Sequence, residues 1–242
     1  MAMNNRLLRP RATGGFNPKT ISGLAAWWDA SKTASLAQNS DGTVAVSNGD
    51  PVAYWADLSG NGKHMTQPTN GLRPTLSSSG LNGRPSISVP AVSNAGFGSI
   101  ARPTAATSAT VFMVANRVSS GGNANSISFW ESTGGSFFDV AMEGVAISPA
   151  TGSGSPAYRV NGVAISALRS ALHTAIGRGT QFLQTVSSIN FSGWSATWRC
   201  FDYGSSFNWV GLAGECLIYD RALTASERDA VESYLKKKWG TP

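Results

Sequence analysis

Residues 214–240 read GECLIYDRALTASERDAVESYLKKKWG, and this stretch decides the fold. It begins with an apolar run typical of a strand, passes through a polar turn and continues with helical periodicity. Thr224 lies three residues before Glu227, so the hydroxyl of one and the carboxylate of the other can each accept a hydrogen bond from the partner's backbone N–H. This capping box predicts that a helix begins directly after Thr224.

The predicted helix has one apolar side, formed by Val231, Tyr234 and Leu235 at helical spacing. Residues 236–238 are all lysine, and positive charge in the last turn suits the exposed carbonyl end of a helix. Gly240 can then end the helix. A helix this short needs a larger partner to pack on, and the strand before it indicates that the partner is a β-sheet. We therefore expect an all-β sandwich with one short C-terminal helix.

The composition supports one folded, strand-rich domain. The chain has 242 residues, of which 41% are hydrophobic and only 13% charged, with 27 Gly and 8 Trp. This differs from disordered chains, which are highly charged and poor in aromatic residues. The net charge is +6, but the basic residues concentrate near the two ends, and the middle has no dense basic patch interleaved with aromatics. The pattern argues against nucleic-acid binding.

The two cysteines, Cys200 and Cys216, are too few for a disulfide scaffold and lack metal-site spacing. They could pair across neighbouring strands, or they could be free thiols of a protein made in a reducing cytoplasm, and the sequence leaves both open. We expect no membrane insertion, because no apolar run approaches the length of a membrane span. The first 20 residues also lack the apolar core of a secretory signal.

Short apolar runs between turn signals predict many antiparallel strands. Asn161-Gly162 lies between two such runs, which predicts a two-residue β-hairpin. Many antiparallel strands without intervening helices favour a jelly-roll sandwich. The predicted strands are residues 21–29, 52–57, 86–89, 110–116, 126–131, 137–142, 158–160, 163–165, 172–176, 209–212 and 214–219.

Residues 1–20 differ from the rest of the chain and are predicted to form an extended basic arm, which leaves residues 21–242 as the sandwich domain. The arm is too polar to bury much surface alone, so we expect it to order on a neighbouring protein. Its predicted partner-binding residues are Arg6, Leu7, Leu8, Arg9 and Arg11.

Four segments together resemble a known family. They are residues 23–31 (GLAAWWDAS), 55–64 (WADLSGNGKH), 80–85 (GLNGRP) and 214–224 (GECLIYDRALT). In this order they are similar to the concanavalin A-like or laminin-G-like jelly-roll domains of bacteriophage and bacterial surface proteins. The resemblance implies the sandwich fold over about residues 21–240 and says little of the ligand, because this fold hosts lectins, glycosidases and structural modules.

Some domains of these families bind calcium through loop oxygens, and the resemblance therefore makes Asp29, Asp57 and Asn61 candidate calcium ligands. The alternative is that Asp57 organises its own turn, since Asp commonly caps loops. No dense run of alternating aspartates supports the metal site, so a cofactor-free protein is the main expectation.

Catalytic patterns are weak. Asp139 and Glu143 are the nearest approach to a paired-carboxylate motif of related glycosidases, but a third acid is missing. His64 and His173 are not accompanied by a nucleophile elbow. We therefore predict that the protein is not an enzyme, with hydrolysis through Glu143 as a minor alternative.

Aromatic residues crowd into residues 191–209. If residues 194–202 are extended, Trp194 and Trp198 share one face, while Tyr203 follows on the other side. Three interpretations stay open: these side chains belong to the core, they form a subunit interface, or they are candidate glycan contacts.

Together these observations predict a virion structural protein of a bacteriophage, assembled in the host cytoplasm and displayed on the virion surface. It would be a capsid decoration (cement) protein, a head fibre or a tail-associated protein, bound to other capsid or tail subunits through its arm, and a homo-oligomer such as a trimer. The alternative is a carbohydrate-binding adhesin of tail-fibre type that recognises host surface glycans.

Overall fold

The computed structural model describes residues 15–92, 94–117, 126–127, 130–201 and 209–242. Within them the chain forms sixteen strands and two α-helices. The strands are β1 (Leu24–Asp29), β2 (Leu36–Ala37), β3 (Tyr54–Trp55), β4 (Met65–Thr66), β5 (Thr75–Leu81), β6 (Arg84–Val89), β7 (Phe97–Ala101), β8 (Ala109–Arg117), β9 (Ser126–Ile127), β10 (Trp130–Ser132), β11 (Ala141–Met142), β12 (Ala157–Val160), β13 (Val163–Ile165), β14 (Gln181–Ile189), β15 (Thr197–Cys200) and β16 (Gly211–Tyr219). The helices are α1 (Arg169–Ile176) and α2 (Ala225–Trp239).

The strands form two main antiparallel sheets. The larger has the order β13-β12-β14-β8-β16-β6-β5, and β1 pairs with the C-terminal half of β16 beside β6. The smaller has the order β10-β15-β7-β4-β3-β2, and β9 pairs with β11 separately. The predicted fold class, an all-β sandwich with a short C-terminal helix, is confirmed. Neither helix of the described residues combines the length and the apolar character that a membrane span requires.

Strand β8 explains how the two cores form. Val111, Met113 and Ala115 face the core between the sheets, whereas Phe112 and Val114 face the opposite side, where Leu235 of α2 packs. A strand buried on both faces reads as a continuous apolar run, as this one does over residues 111–115.

Helix α2 begins and ends as predicted. The Thr224 hydroxyl accepts a hydrogen bond from the Glu227 backbone N–H at 3.3 Å, and the Glu227 carboxylate accepts one from the Thr224 N–H at 2.9 Å. Gly240 caps the C-terminus in the left-handed conformation, with φ of 68°. On the buried side, Glu232 accepts hydrogen bonds from Arg159 and Thr185 of the sheet. The helix is therefore bound to the sheet by polar as well as apolar contacts.

The predicted hairpin is also present. β12 and β13 pair with Val160 opposite Val163, and Asn161 and Gly162 between them have φ of 52° and 80°. Positive φ at both central residues is what a type I′ turn requires, and Asn-Gly is the pair that adopts it most readily.

Several predicted strands differ in the structure. Residues 172–176 belong to α1 and not to a strand, so the prediction there is wrong. Of residues 137–142, only Ala141 and Met142 form a strand, β11. Phe137 makes isolated bridges to Glu131 and Thr151, so the predicted continuous strand is not present. Residues 126–131 form the separate strands β9 and β10, with residues 128–129 outside the described part of the chain.

Candidate functional site

Under α2, two buried carboxylates meet one lysine. Asp29 of β1 and Glu215 of β16 are register partners, and both are fully buried. Lys238, in the last turn of α2, places its Nζ 2.6 Å from Asp29 Oδ2 and 2.7 Å from Glu215 Oε2. We call these three residues the acid–lysine cluster. A buried charge needs such partners, because desolvation without pairing is very costly.

Glu215 is the centre of this cluster. Its Oε1 accepts hydrogen bonds from Trp27 Nε1 and the Tyr234 hydroxyl, both at 2.8 Å. Its Oε2 accepts from Trp239 Nε1 at 2.7 Å in addition to Lys238. Burial, and then the charge of Asp29, raise the pKa of Glu215, while Lys238 opposes the rise. With four donors around it, the carboxylate positions two rings and a lysine and leaves no acceptor for a ligand.

A cavity of about 600 Å³ opens above the cluster. Cavities of about 410 and 450 Å³ adjoin it and share residues with it. The walls combine basic with aromatic side chains, and we call this surface the basic groove. Its defining residues are Lys19, Lys32, Arg84, Lys238, Phe16, Trp27 and Tyr234.

The charge of the basic groove has one sign. No Asp or Glu side chain is among the residues that line the main cavity. Within the described part of the chain, Lys19 and Lys32 make no side-chain hydrogen bond or ion pair, and Arg84 uses only its Nε, which donates to the Lys238 carbonyl at 2.7 Å. All three are exposed. The groove therefore presents unpaired positive charge to solvent.

One wall of the basic groove is formed by residues 16–19, which were predicted to belong to the N-terminal arm. Pro18 is buried, and its carbonyl accepts a hydrogen bond from the Tyr219 hydroxyl at 3.1 Å. The Phe16 ring lies 5.2 Å from the Tyr234 ring. The Asn17 side chain caps the short 3-10 helix Pro18–Thr20. These contacts hold Lys19 at the rim of the groove. The predicted arm contacts Arg6, Leu7, Leu8, Arg9 and Arg11 lie outside the described residues.

The candidate calcium ligands have other partners. Asp57 accepts four hydrogen bonds, from the backbone N–H groups of Trp27, Ser59 and Lys63 and from the Ser59 hydroxyl. The Asn61 amide donates to carbonyls of β1, and Asp29 belongs to the acid–lysine cluster.

Among the described residues, no group of three or more His, Cys, Asp or Glu side chains is placed to hold a metal. The four hydrogen bonds of Asp57 fit the interpretation that it organises its own turn, and calcium binding stays a hypothesis.

The candidate glycan contacts Trp194 and Trp198 lie in the core, which supports the core interpretation of these two residues. They are 3% and 0% exposed, and their rings are 4.6 Å apart. Phe191 packs on both, and Trp194 Nε1 donates to the Gly152 carbonyl. A ring without an open face cannot stack on a sugar. Tyr203 lies outside the described residues.

The weaker catalytic candidates, two carboxylates and two histidines, differ in burial and in their place in the chain. Asp139 is 1% exposed and accepts a hydrogen bond from the Trp130 N–H, whereas Glu143 is exposed. His64 accepts a hydrogen bond from the Asp57 N–H through Nδ1, and His173 lies on α1. Asp139 and Glu143 thus differ in their environment, and His64 and His173 lie in different parts of the chain.

No protein-family model and no curated protein matches the chain. Solved structures of the Trypanosoma rangeli sialidase are similar to it. The sialidase alone matches with 12% identity and a TM-score of 0.42, its complex with the inhibitor DANA with 12% and 0.43, and its complex with sialic acid with 10% and 0.40. The matches cover 91–92% of this chain and 34% of the sialidase chains. The chain thus spans about a third of the length of the structures that it matches.

These neighbours are enzymes, so the prediction that the protein is not an enzyme is withdrawn. At such low identity and TM-score, no substrate, activity or residue role is transferred from the sialidases to this chain.

Proposed function

We propose that the protein is a structural module of a bacteriophage virion, a concanavalin A-like or laminin-G-like sandwich displayed on the particle and attached through its N-terminal segment. The particle partner would be a capsid or tail subunit that offers acidic groups to Arg6, Arg9 and Arg11. Repetition of the module around a symmetric particle would add avidity to each weak contact.

The observation that carries this proposal is the attachment of residues 16–20 to the sandwich. Pro18 is buried, its carbonyl is bonded to Tyr219 of β16, and Phe16 packs on Tyr234 of α2. The basic residues 1–14 therefore continue from a point that is bound to the larger sheet. Such an anchor suits a segment whose partner lies on another protein.

The test is co-sedimentation with virions that lack this protein. The full chain should bind, and its binding should weaken as salt increases. A variant lacking residues 1–14 should not bind, and a triple variant with Arg6, Arg9 and Arg11 changed to Ala should bind weakly with little dependence on salt. Arg228→Ala, which removes a cation from α2, is the matched control and should bind normally. Equal binding of the full chain and the shortened variant would refute attachment through this segment.

A second function, carbohydrate binding, is favoured by the basic groove. Trp27, Phe16 and Tyr234 are only partly buried there, in contrast to Trp194 and Trp198. Partly open aromatic rings beside polar groups are typical of sugar and protein contacts. A screen of immobilised glycans with wild-type protein and Trp27→Phe tests this function, and binding that is unaffected by the substitution would place recognition elsewhere.

A further inference from the structure

We propose that the basic groove binds an acidic saccharide, a sugar that carries a carboxylate or a sulfate group. The inference rests on the carbohydrate-binding function proposed above and adds to it the site and the chemical class of the ligand. The feature behind it is the combination of unpaired cations with oriented aromatic rings around one cavity.

The cations supply the anion recognition. Lys19, Lys32 and Arg84 are exposed around the cavity, and within the described residues no acidic side chain pairs with them. Arg84 is held through its Nε by the Lys238 carbonyl, and within the described residues its two Nη groups make no hydrogen bond or ion pair. A planar guanidinium held in this way can donate two parallel hydrogen bonds to a carboxylate or a sulfate.

Lys238 has a different role. Its Nζ is bound to the two buried carboxylates of the acid–lysine cluster, so its charge is compensated from below. The remaining capacity of Glu215 is used by Trp27, Tyr234 and Trp239. Lys238 therefore adds no unpaired positive charge to the groove, and the cations available to an anionic ligand are Lys19, Lys32 and Arg84.

The aromatic rings supply the sugar recognition. Trp27 and Tyr234 are fixed because their polar atoms both donate to Glu215 Oε1, and Phe16 packs on Tyr234. Each ring is only partly buried. Rings that are already ordered lose little conformational entropy when a ligand stacks on them. The apolar C–H face of a pyranose can pack there while its acidic group reaches Arg84 or a lysine.

The dimensions suit a ligand of this class. The main cavity of about 600 Å³ lies within the range of small-molecule sites. The adjoining cavities share Lys19, Trp27 and Lys32 on one side and Phe16, Arg84, Tyr234 and Lys238 on the other. The three cavities thus form one continuous surface, on which neighbouring units of an oligosaccharide could bind.

The test is titration calorimetry with four probes: an oligogalacturonate, a sulfated dextran oligosaccharide, a neutral malto-oligosaccharide and inorganic polyphosphate. At least one acidic sugar should bind about tenfold or more tightly than the neutral one, and its affinity should fall with salt. The preferred acidic sugar identifies the anionic group as carboxylate or sulfate.

Substitutions inside and outside the basic groove test whether the ligand binds there. Arg84→Gln and Lys32→Gln should each weaken binding of the acidic sugar about three- to tenfold, whereas Arg228→Gln, which removes the same charge outside the groove, should not. Trp27→Phe should weaken it through the smaller ring. Melting curves establish that each variant is folded. The exposed Arg84 and Lys32 substitutions should leave the melting temperature nearly unchanged, whereas Trp27→Phe, which removes a donor to the buried Glu215, should lower it.

Each other outcome overturns the inference in a distinct way. Equal binding of neutral and acidic sugars, with loss in Trp27→Phe, would refute the acidic ligand and keep the carbohydrate-binding function. Absence of binding to every sugar would refute both. Polyphosphate that binds as tightly as the sugars and depends on the same cations would reduce the groove to a general anion site.

Discussion

At the scale of single residues, Glu215 connects the interior with the surface. It is fully buried and accepts four hydrogen bonds, from Trp27, Tyr234, Lys238 and Trp239. We expect Glu215→Gln to lower the free energy of unfolding by about 3 kcal/mol, because an amide cannot accept from all four donors and Lys238 loses one of its two partners. Removal of the repulsion from Asp29 offsets only part of this loss.

Denaturant titration measures the effect of Glu215→Gln. The control is Asp229→Asn, because the Asp229 side chain is 58% exposed and its ion pair with Arg228 lies at the surface. That control should change stability by no more than about 0.5 kcal/mol. A Glu215→Gln protein as stable as the control would mean that the acid–lysine cluster contributes nothing to folding.

The hydrogen bonds of Glu227 make the stability of the folded protein depend on pH in the acid range. Its hydrogen bonds from Arg221, and then from the Thr224 backbone, lower the pKa of Glu227 from its ordinary 4.5 to about 2. Because the folded pKa is the lower one, the stabilisation is complete above the ordinary value and is lost as the pH falls towards 2. Glu227→Gln should therefore melt below wild type near pH 6, and the two curves should converge near pH 2.

Melting temperatures of wild type and Glu227→Gln between pH 6 and 2 provide the measurement. Asp229→Asn, on the same helix, is the control and should keep a small, nearly constant difference from wild type. A gap between wild type and Glu227→Gln that persists undiminished at pH 2 would contradict the proposed pairing with Arg221.

At the scale of elements, the packing of α2 depends on a close approach at Gly214. A Cβ at this position would lie 2.9 Å from a ring carbon of Trp239 and 3.1 Å from Leu81. Trp239 is fully buried and bonded to Glu215, so its ring cannot move away without loss. We expect Gly214→Ala to destabilise the protein by about 1–3 kcal/mol, as overpacked cores generally do.

A double-mutant cycle separates the steric effect from other causes. Trp239→Phe in the Gly214→Ala background should cost less than in wild type, because the smaller ring makes room for the added methyl group. Gly71→Ala is the control, since no atom lies within 4 Å of a Cβ there. Strict additivity of the two substitutions would show that the methyl group and the ring do not collide.

The two helices also explain what a sequence can predict about elements. The signals of α2 are local: a capping box at Thr224 and Glu227, and a glycine at its end. In α1, Leu172 and Ile176 are buried, and their spacing fits one face of a strand as well as one face of a helix. The exposure of Thr174 distinguishes a helix from a strand here. A strand would place Thr174 on the same buried face as Leu172 and Ile176, whereas in the structure Thr174 is exposed. That difference arises from tertiary packing.

At the scale of the whole molecule, the basic groove could not be predicted from the sequence. The basic residues of the groove come from three distant parts of the chain and meet only through strand register and the docking of α2. They are Lys19 with Lys32, Arg84, and Lys238. The cluster of aromatics at residues 191–209 was a stronger linear signal, but a period of two cannot tell which face is solvent, and Trp194 lies in the core. The sandwich itself was predictable, because its turns and its terminal helix are encoded locally.

The two cysteines, whose pairing the sequence left open, are both free thiols and report on the opening of the whole sandwich. Cys200 lies on β15 of the smaller sheet and Cys216 on β16 of the larger, and both belong to the core between the sheets. Burial raises the pKa of both thiols, so the reactive thiolate is scarce in the folded protein. A thiol reagent at pH 8 should therefore react with neither residue until the sheets separate.

Reaction with 5,5′-dithiobis(2-nitrobenzoate) measures this opening, with Cys200→Ala and Cys216→Ala used to follow each thiol alone. If the sandwich opens as one cooperative unit, both thiols should react at the same slow rate. The two labelling rates should then rise together as denaturant is added. Because the two cysteines lie on different sheets, rapid labelling of Cys200 with protection of Cys216 would mean that the smaller sheet opens independently. Full labelling of both in native buffer would contradict the buried positions of the thiols.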